Sequence, residues 1–231
     1  MSVHGKKYRA AAEKIDLSAE HELEAALAYL KEHQVARFDE TAEIAFRLGV
    51  DPTKSDQSVR GTVTLPHGTG KDVRVVVFAS GTAADAAREA GAAEVGFEDL
   101  VAKVQGGWTD FDVAIATPEA MKEVRKLGKV LGPRGLMPNP RTGTVTEDTA
   151  AAVNQFKAGR VEFKMDRHGN VMLPFGKLSF PVDALADNAR AVLNAVKAAR
   201  PAVVKGTFIK NCTVTSTMGP GLKLVARETA A

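Results

Sequence analysis

LPHGTGKDVRVVVFAS, residues 65–80, divides the chain into two grammars. Ahead of it Val59, Gly61, Val63 and Leu65 alternate with Arg60, Thr62 and Thr64, the two-residue period of a strand buried on one face. Behind it VRVVVFAS is almost continuously apolar, as in a strand buried on both faces of a parallel sheet. Pro66, His67, Gly68, Thr69 and Gly70 break both patterns, so a domain boundary is placed there.

Downstream, the Gly81 turn and TAADAAREAG read as turn and helix, FEDLVAKVQGG as a helix, and FDVAIAT as a second buried strand. PEAMKEVRKLGKVLG then reads as a helix entered through Pro118 at its first turn. GPRGLMPNPRTGT, residues 132–144, is a loop rich in glycine and proline, and TEDTAAAVNQFKAG closes the segment as a helix. Strands and helices alternating at these lengths make βαβ units and a three-layer α/β fold.

Upstream, helices are expected over 6–15 and over 20–32, the second with Leu23, Leu27 and Leu30 on one side and Ser18 as its cap. Ala42, Ile44, Phe46 and Leu48 alternate with Glu43, Ala45 and Arg47 as a half-buried strand. From Arg160 that style returns: RVEFKMD and NVMLPFG as a hairpin about His168 and Gly169, a helix over 181–200, and strands GTFIKNCTVTST and LKLVAR joined by MGPG. The simplest assembly is a discontinuous α+β domain, residues 1–67 with 160–231, carrying residues 68–159 as an inserted three-layer α/β (Rossmann-like) domain. Three domains in tandem are the alternative, with each flank short of core.

The composition, 45% hydrophobic and 26% charged, is that of a globular protein, and no apolar run approaches membrane-spanning length. The opening MSVHGKKYRAAAEKI has no apolar core behind its basic residues, so no secretory signal is read and the cytoplasm is expected. One cysteine, Cys212, excludes an internal disulfide framework. The net charge is only +3, but residues 160–231 hold 11 basic against 5 acidic residues. That excess marks either a polyanion-binding surface or a solvated basic face.

The search for catalysis begins in the α/β segment, where such folds hold nucleotides. After VRVVVFAS comes GTAADAA, without the G-x-G-x-x-G that lets a backbone approach a pyrophosphate. GTGK at Gly68–Lys71 precedes its strand, is followed by Asp72 and lacks the first glycine of a P-loop. The histidines His4, His21, His33, His67 and His168 have no metal-ligand spacing. Asp110 and Asp112 are a carboxylate pair at a strand start, where solubilising acids are common. The expectation is a protein without cofactor, metal or catalysis; the rival reading is a nucleotide-using enzyme in the insert.

Two stretches carry recognition chemistry. Ala36-Arg37-Phe38-Asp39-Glu40-Thr41 sets an aromatic between a guanidinium and a hydroxyl, either as core or as a contact. Thr213-Val214-Thr215-Ser216-Thr217-Met218-Gly219 puts hydroxyls 213, 215 and 217 on one strand face, either as a plain solvent face or as partners for ribose and phosphate.

With HGKKYRA, ARFDET, SDQSVRGTVTLPHGTGK, LGPRGLMPNPRTGTV, KGTF and TSTMGP in this order, the chain resembles, over its whole length, the family of ribosomal protein one of the large subunit, its bacterial branch most closely. The resemblance implies a split domain that binds large-subunit ribosomal RNA and an insert on paired connections. It further implies a mobile stalk that helps release exit-site tRNA, repression of the protein's own messenger RNA, and a monomer when off the ribosome. Carried over by motif, the RNA face comprises Arg37, Phe38, Thr41, Lys164, Lys205, Thr207, Thr217, Met218 and Gly219. Arg37, Lys164 and Lys205 are expected on phosphate, the threonines on ribose or base edges, and Phe38 and Met218 against sugars, with RNA close to the Gly219 backbone. The GPRGLMPNP loop is either an auxiliary RNA contact through Arg134 and Arg141 or a rigid connection.

Overall fold

In the computed structural model, which describes residues 5–225, the chain begins with helix α1 (Lys6–Ala12), the two-residue strand β1 (Glu20–His21) and helix α2 (Leu23–Glu32). Strands β2 (Thr41–Leu48) and β3 (Arg60–Thr64) follow. Along β2, Ala42, Ile44, Phe46 and Leu48 are buried while Thr41, Glu43, Ala45 and Arg47 face outward, as the pleat of a one-sided strand requires.

Next come β4 (Val75–Phe78), α3 (Thr82–Glu89), β5 (Glu94–Gly96), α4 (Glu98–Gln105) and β6 (Val113–Ala116). Two short helices, α5 (Met121–Val124) and α6 (Gly128–Leu131), are joined by a 3-10 turn, and α7 (Thr149–Lys157) follows, capped by Asp148, which accepts the Ala151 N–H. The chain ends with β7 (Arg160–Lys164), β8 (Asn170–Lys177), α8 (Val182–Ala198), β9 (Ile209–Ser216) and β10 (Leu222–Leu224). Residues 5–70 and 161–225 form one compact unit, and Lys71–Arg160 the other.

In the first unit the sheet order is β1-β10-β9-β2-β8. β2 pairs antiparallel with β8 and β9, so a strand of the first flank lies between two of the last. The apolar stripes of α2 (Leu23, Ala26, Leu27, Leu30) and α8 (Leu185, Ala189, Val192, Val196) join Ile44, Phe46, Leu173, Phe175 and Val214 in one core. Each fully buried leucine contributes about 1.5–3 kcal/mol. The buried Asn188 side chain donates to the carbonyls of Gly68 (3.0 Å) and Phe175 (2.8 Å) and accepts the His67 N–H (3.0 Å). It fastens the chain just ahead of the break at Gly70, whose φ of +69° suits glycine.

In the second unit β4 lies between β5 and β6, all parallel. Val76 and Phe78 of β4 belong to a core with residues of α4, α5 and α6; Val75 and Val77 belong to another with residues of α3 and α7. A strand covered on both sides is why VRVVVFAS lacks alternation.

Several local expectations are corrected. RVEFKMD and NVMLPFG do not pair as a hairpin: β7 pairs with β3 in a two-stranded sheet, while β8 pairs with β2. Only the turn survives, held by Asp166 N–H to the Asn170 carbonyl at 2.8 Å and by the Asp166 side chain. Ser18 caps no helix, because its hydroxyl and N–H both bond Asp16 and α2 starts only at Leu23, after Glu22. The run after Pro118 starts at Met121 and is interrupted by the 3-10 turn at Arg125–Leu127. β1 and β5, two and three residues long, are too short to show a period. Asp110 and Asp112 are held in ion pairs: Asp112 with Lys71 (2.6 Å) and Arg74 (3.3 Å), Asp110 with Arg74.

Candidate nucleic-acid interface

Glu40 has the register parity of Ala42, Ile44 and Phe46 and is therefore turned inward; it is fully buried. A carboxylate there is stable only if its oxygens are satisfied. Oε1 accepts the N–H groups of Val35 (2.9 Å) and Ala36 (2.6 Å); Oε2 accepts the Ser216 hydroxyl (2.6 Å) and the Met218 N–H (3.1 Å). Burial pushes the carboxyl's pKa up, but the Ser216 hydroxyl and the N–H groups of Ala36, Met218 and Val35 outweigh it and hold it below the usual value. One side chain thus binds the loop at Val35 and Ala36 to Ser216, which is 176 residues from Glu40 in sequence.

The loops present the candidate residues. Phe38 is 56% exposed and Met218 52%, and Arg37 is exposed beside Phe38. Thr41 and Thr217 are clamped together: the Thr41 N–H donates to Thr217 Oγ1 at 2.9 Å, and the Thr217 N–H to the Thr41 carbonyl at 3.1 Å. A register shift between Ala42 and Glu43 sets Lys177 opposite Thr41, and the Lys177 ammonium donates to Thr41 Oγ1 at 2.9 Å. Thr215 donates to the carbonyls of Ser216 (3.1 Å) and Gly219 (3.3 Å). These threonines build the surface as well as display it. Gly219 has a reason of its own to lack a side chain, since a Cβ there would lie 2.3 Å from Ser216 Oγ.

The other candidates lie elsewhere. Thr207 sits where β9 begins, its carbonyl 2.2 Å from where a Cβ on Gly49 would be, and Ile209 pairs with Leu48 at the far end of β2. Lys205 is exposed in the same loop, which Arg200 ties down through the carbonyls of Val204 and Gly206 (both 3.1 Å). Lys164 ends β7, just before the turn that leads to Asn170 and Arg47. Strand rise puts Thr41 and Leu48 about 23 Å apart, so the nine residues form two groups: Arg37, Phe38, Thr41, Thr217, Met218 and Gly219 at one end, Lys164, Lys205 and Thr207 at the other. Arg134 and Arg141 belong to the second unit. The Arg134 guanidinium bonds Thr109 Oγ1, and the Arg141 side chain lies outside the described structure.

The structure adds residues that sequence reasoning left unassigned. α1 is tied to α2 by the Tyr29 hydroxyl, which donates to the Ala11 carbonyl. Gly5, Lys6, Lys7 and Tyr8 thereby share a groove of about 600 Å³ with Val35, Thr217, Met218 and Gly219. Among the described residues no carboxylate lines it. HGKKYRA is a family motif to which the sequence gives no role, and no sequence period shows where its lysines come to rest.

A family model described as the ribosomal protein L1p/L10e family matches residues 30–220. The large ribosomal subunit protein uL1 of Cutibacterium acnes is 56% identical over 219 residues, covering 95% of this chain and 94% of its own length. The protein of that name from Lactobacillus delbrueckii subsp. bulgaricus is 53% identical over 224 residues, covering 97% of each.

Proposed function

The chain belongs to the ribosomal protein L1p/L10e family and is a non-catalytic protein of the large ribosomal subunit, and from that premise we propose that it grips large-subunit ribosomal RNA with the end of the sheet organised by Glu40. The observation that carries this is the joint display of exposed Phe38 and Met218 by one buried carboxylate, beside a groove walled by lysines. Apolar side chains flanked by cations and hydroxyls suit RNA with unstacked bases and accessible 2′-hydroxyls. In this reading a split domain of residues 1–67 and 160–231 carries a Rossmann-like insert, residues 68–159. Lys164, Lys205 and Thr207 supply a second nucleic-acid contact at the other end of the strands. The stalk so formed aids release of exit-site tRNA, the RNA-binding surface also represses the protein's own messenger RNA, and the free protein is a monomer.

The test is a calorimetric titration of the full chain with the stalk region of large-subunit RNA and, separately, with ATP and NAD. Binding to the RNA alone is expected; tight nucleotide binding without RNA binding would replace this reading with that of a nucleotide-using enzyme. The double change Lys6→Gln, Lys7→Gln is expected to lower the slope of log affinity against log salt by about 1.5, because each phosphate contact accounts for roughly 0.7–0.9 of it. An unaltered slope would remove α1 from the interface.

A further inference from the structure

The unit Lys71–Arg160 is neutral as a whole, with twelve Lys and Arg against twelve Asp and Glu, but its charge is segregated. Six of the cations and one acid lie between Lys122 and Arg141, which leaves six cations against eleven acids for the rest of the unit. Lys122, Arg125, Lys126 and Lys129 recur along the helical run from Met121 to Leu131 at the spacing of one helix face. All four are exposed, while Val124, Leu127 and Leu131 between them are fully buried.

The described cations elsewhere in the unit already have partners. Lys71 and Arg74 hold Asp112, Arg88 holds Asp85, Lys103 holds Glu94, Lys157 donates to the carbonyls of Ala90 and Gly91, Arg160 to Thr142, and Arg134 to Thr109. On the helix face only Lys126 is paired, with Glu123 at 2.6 Å. Among the described residues no ion pair engages Lys122, Arg125 or Lys129. The uncommitted positive charge of this unit is therefore gathered on one face, beside the exposed Gly132–Gly135 turn.

We propose that this helix face docks the phosphate backbone of RNA without reading its sequence. From Lys122 to Lys129 the helix rises about 10 Å, a length over which a duplex presents several phosphates. The face is no membrane-surface helix, because its apolar side is used up in the core. The surface rests on the proposed RNA-binding function only for the identity of its polyanion, and it is made of Lys122, Arg125, Lys126 and Lys129 rather than of the loop arginines Arg134 and Arg141.

The experiment uses the full chain with Lys122, Arg125, Lys126 and Lys129 all changed to glutamine. Affinity for the stalk RNA with a flanking duplex is measured across a salt series, and acetylation of Lys122 and Lys129 in the unaltered protein is followed by mass spectrometry with that RNA or with polyglutamate. Four exposed side chains should leave the melting temperature unchanged. The salt slope is expected to fall by about 3, and RNA, not polyglutamate, should shield the two lysines. A folded variant with an unchanged slope, or lysines shielded equally by polyglutamate, overturns the inference while the RNA-binding reading stands. A native chain that binds no RNA overturns both.

Discussion

Glu40→Ala is expected to lower the stability of the split unit by about 3–5 kcal/mol and to reduce RNA affinity more than tenfold in whatever fraction remains folded. The substitution strips partners from the Val35, Ala36 and Met218 N–H groups and from the Ser216 hydroxyl. A buried donor left unsatisfied costs about 1–3 kcal/mol, the part-buried N–H groups less than the buried Ser216 hydroxyl, and relaxation of the loops recovers part of the sum. Urea denaturation measures it, with an m-value close to the parent's showing that the same surface unfolds.

The pH dependence gives a second handle with a definite sign. The folded-state carboxyl is held below its ordinary value of 4.5, so the unfolded chain binds the proton more readily. Its stabilising contribution is complete above about pH 4.5 and is lost as the pH falls through the folded value. Glu40→Gln keeps one acceptor oxygen and has no such proton to take up. It should sit between parent and alanine variant in stability near neutrality, and the gap to the parent should narrow as the solution is acidified. Parallel pH profiles for the two proteins would deny Glu40 this role.

What the sequence disclosed and what it withheld divide along physical lines. Periodicity is a local property, so it located β2, α2, α8 and the two-sided strand β4, and it marked the break near His67. Strand pairing is non-local, so proximity in sequence misled: β7 and β8 are joined by a short turn yet belong to different sheets. The helix after Pro118 looked continuous because the exposed face and the buried Val124 and Leu127 keep helical spacing through the 3-10 turn. In the site, Arg37, Phe38, Thr41 and the Thr217–Gly219 turn come together, but Lys164, Lys205 and Thr207 are about 23 Å of strand away. A motif names residues without their distances. Glu40 is legible in principle, because a charged residue on the inward parity of a strand needs an explanation, but the more conspicuous chemistry of Arg37 and Phe38 beside it masks that signal. The threonines show a role that residue type does not reveal. The family motif places Thr41 and Thr217 on ribose or base edges; the fold adds that Thr217 Oγ1 accepts the Thr41 N–H and Thr41 Oγ1 accepts the Lys177 ammonium.

That distinction selects the cleanest test of the interface, which is Phe38→Ala combined with Met218→Ala. Changing Thr217 would loosen the clamp to Thr41 and mix a structural loss with a binding loss, but Phe38 and Met218 are more than half exposed and contribute little to the core. Stability should therefore change by less than about 0.5 kcal/mol. Base stacking on an exposed aromatic is worth about 1–3 kcal/mol and apolar contact by Met218 about 1 kcal/mol, so losing both should lower affinity for the stalk RNA by roughly thirtyfold to a thousandfold. The form of the loss is as diagnostic as its size. Apolar packing releases no counterions, so the salt slope should match the parent's while the whole line drops, in contrast to the lysine changes, which tilt it. If the double variant is folded and binds with parental affinity, the Glu40-organised end of the sheet is not the RNA surface, and the lysine-bearing far end of β2 becomes the place to look.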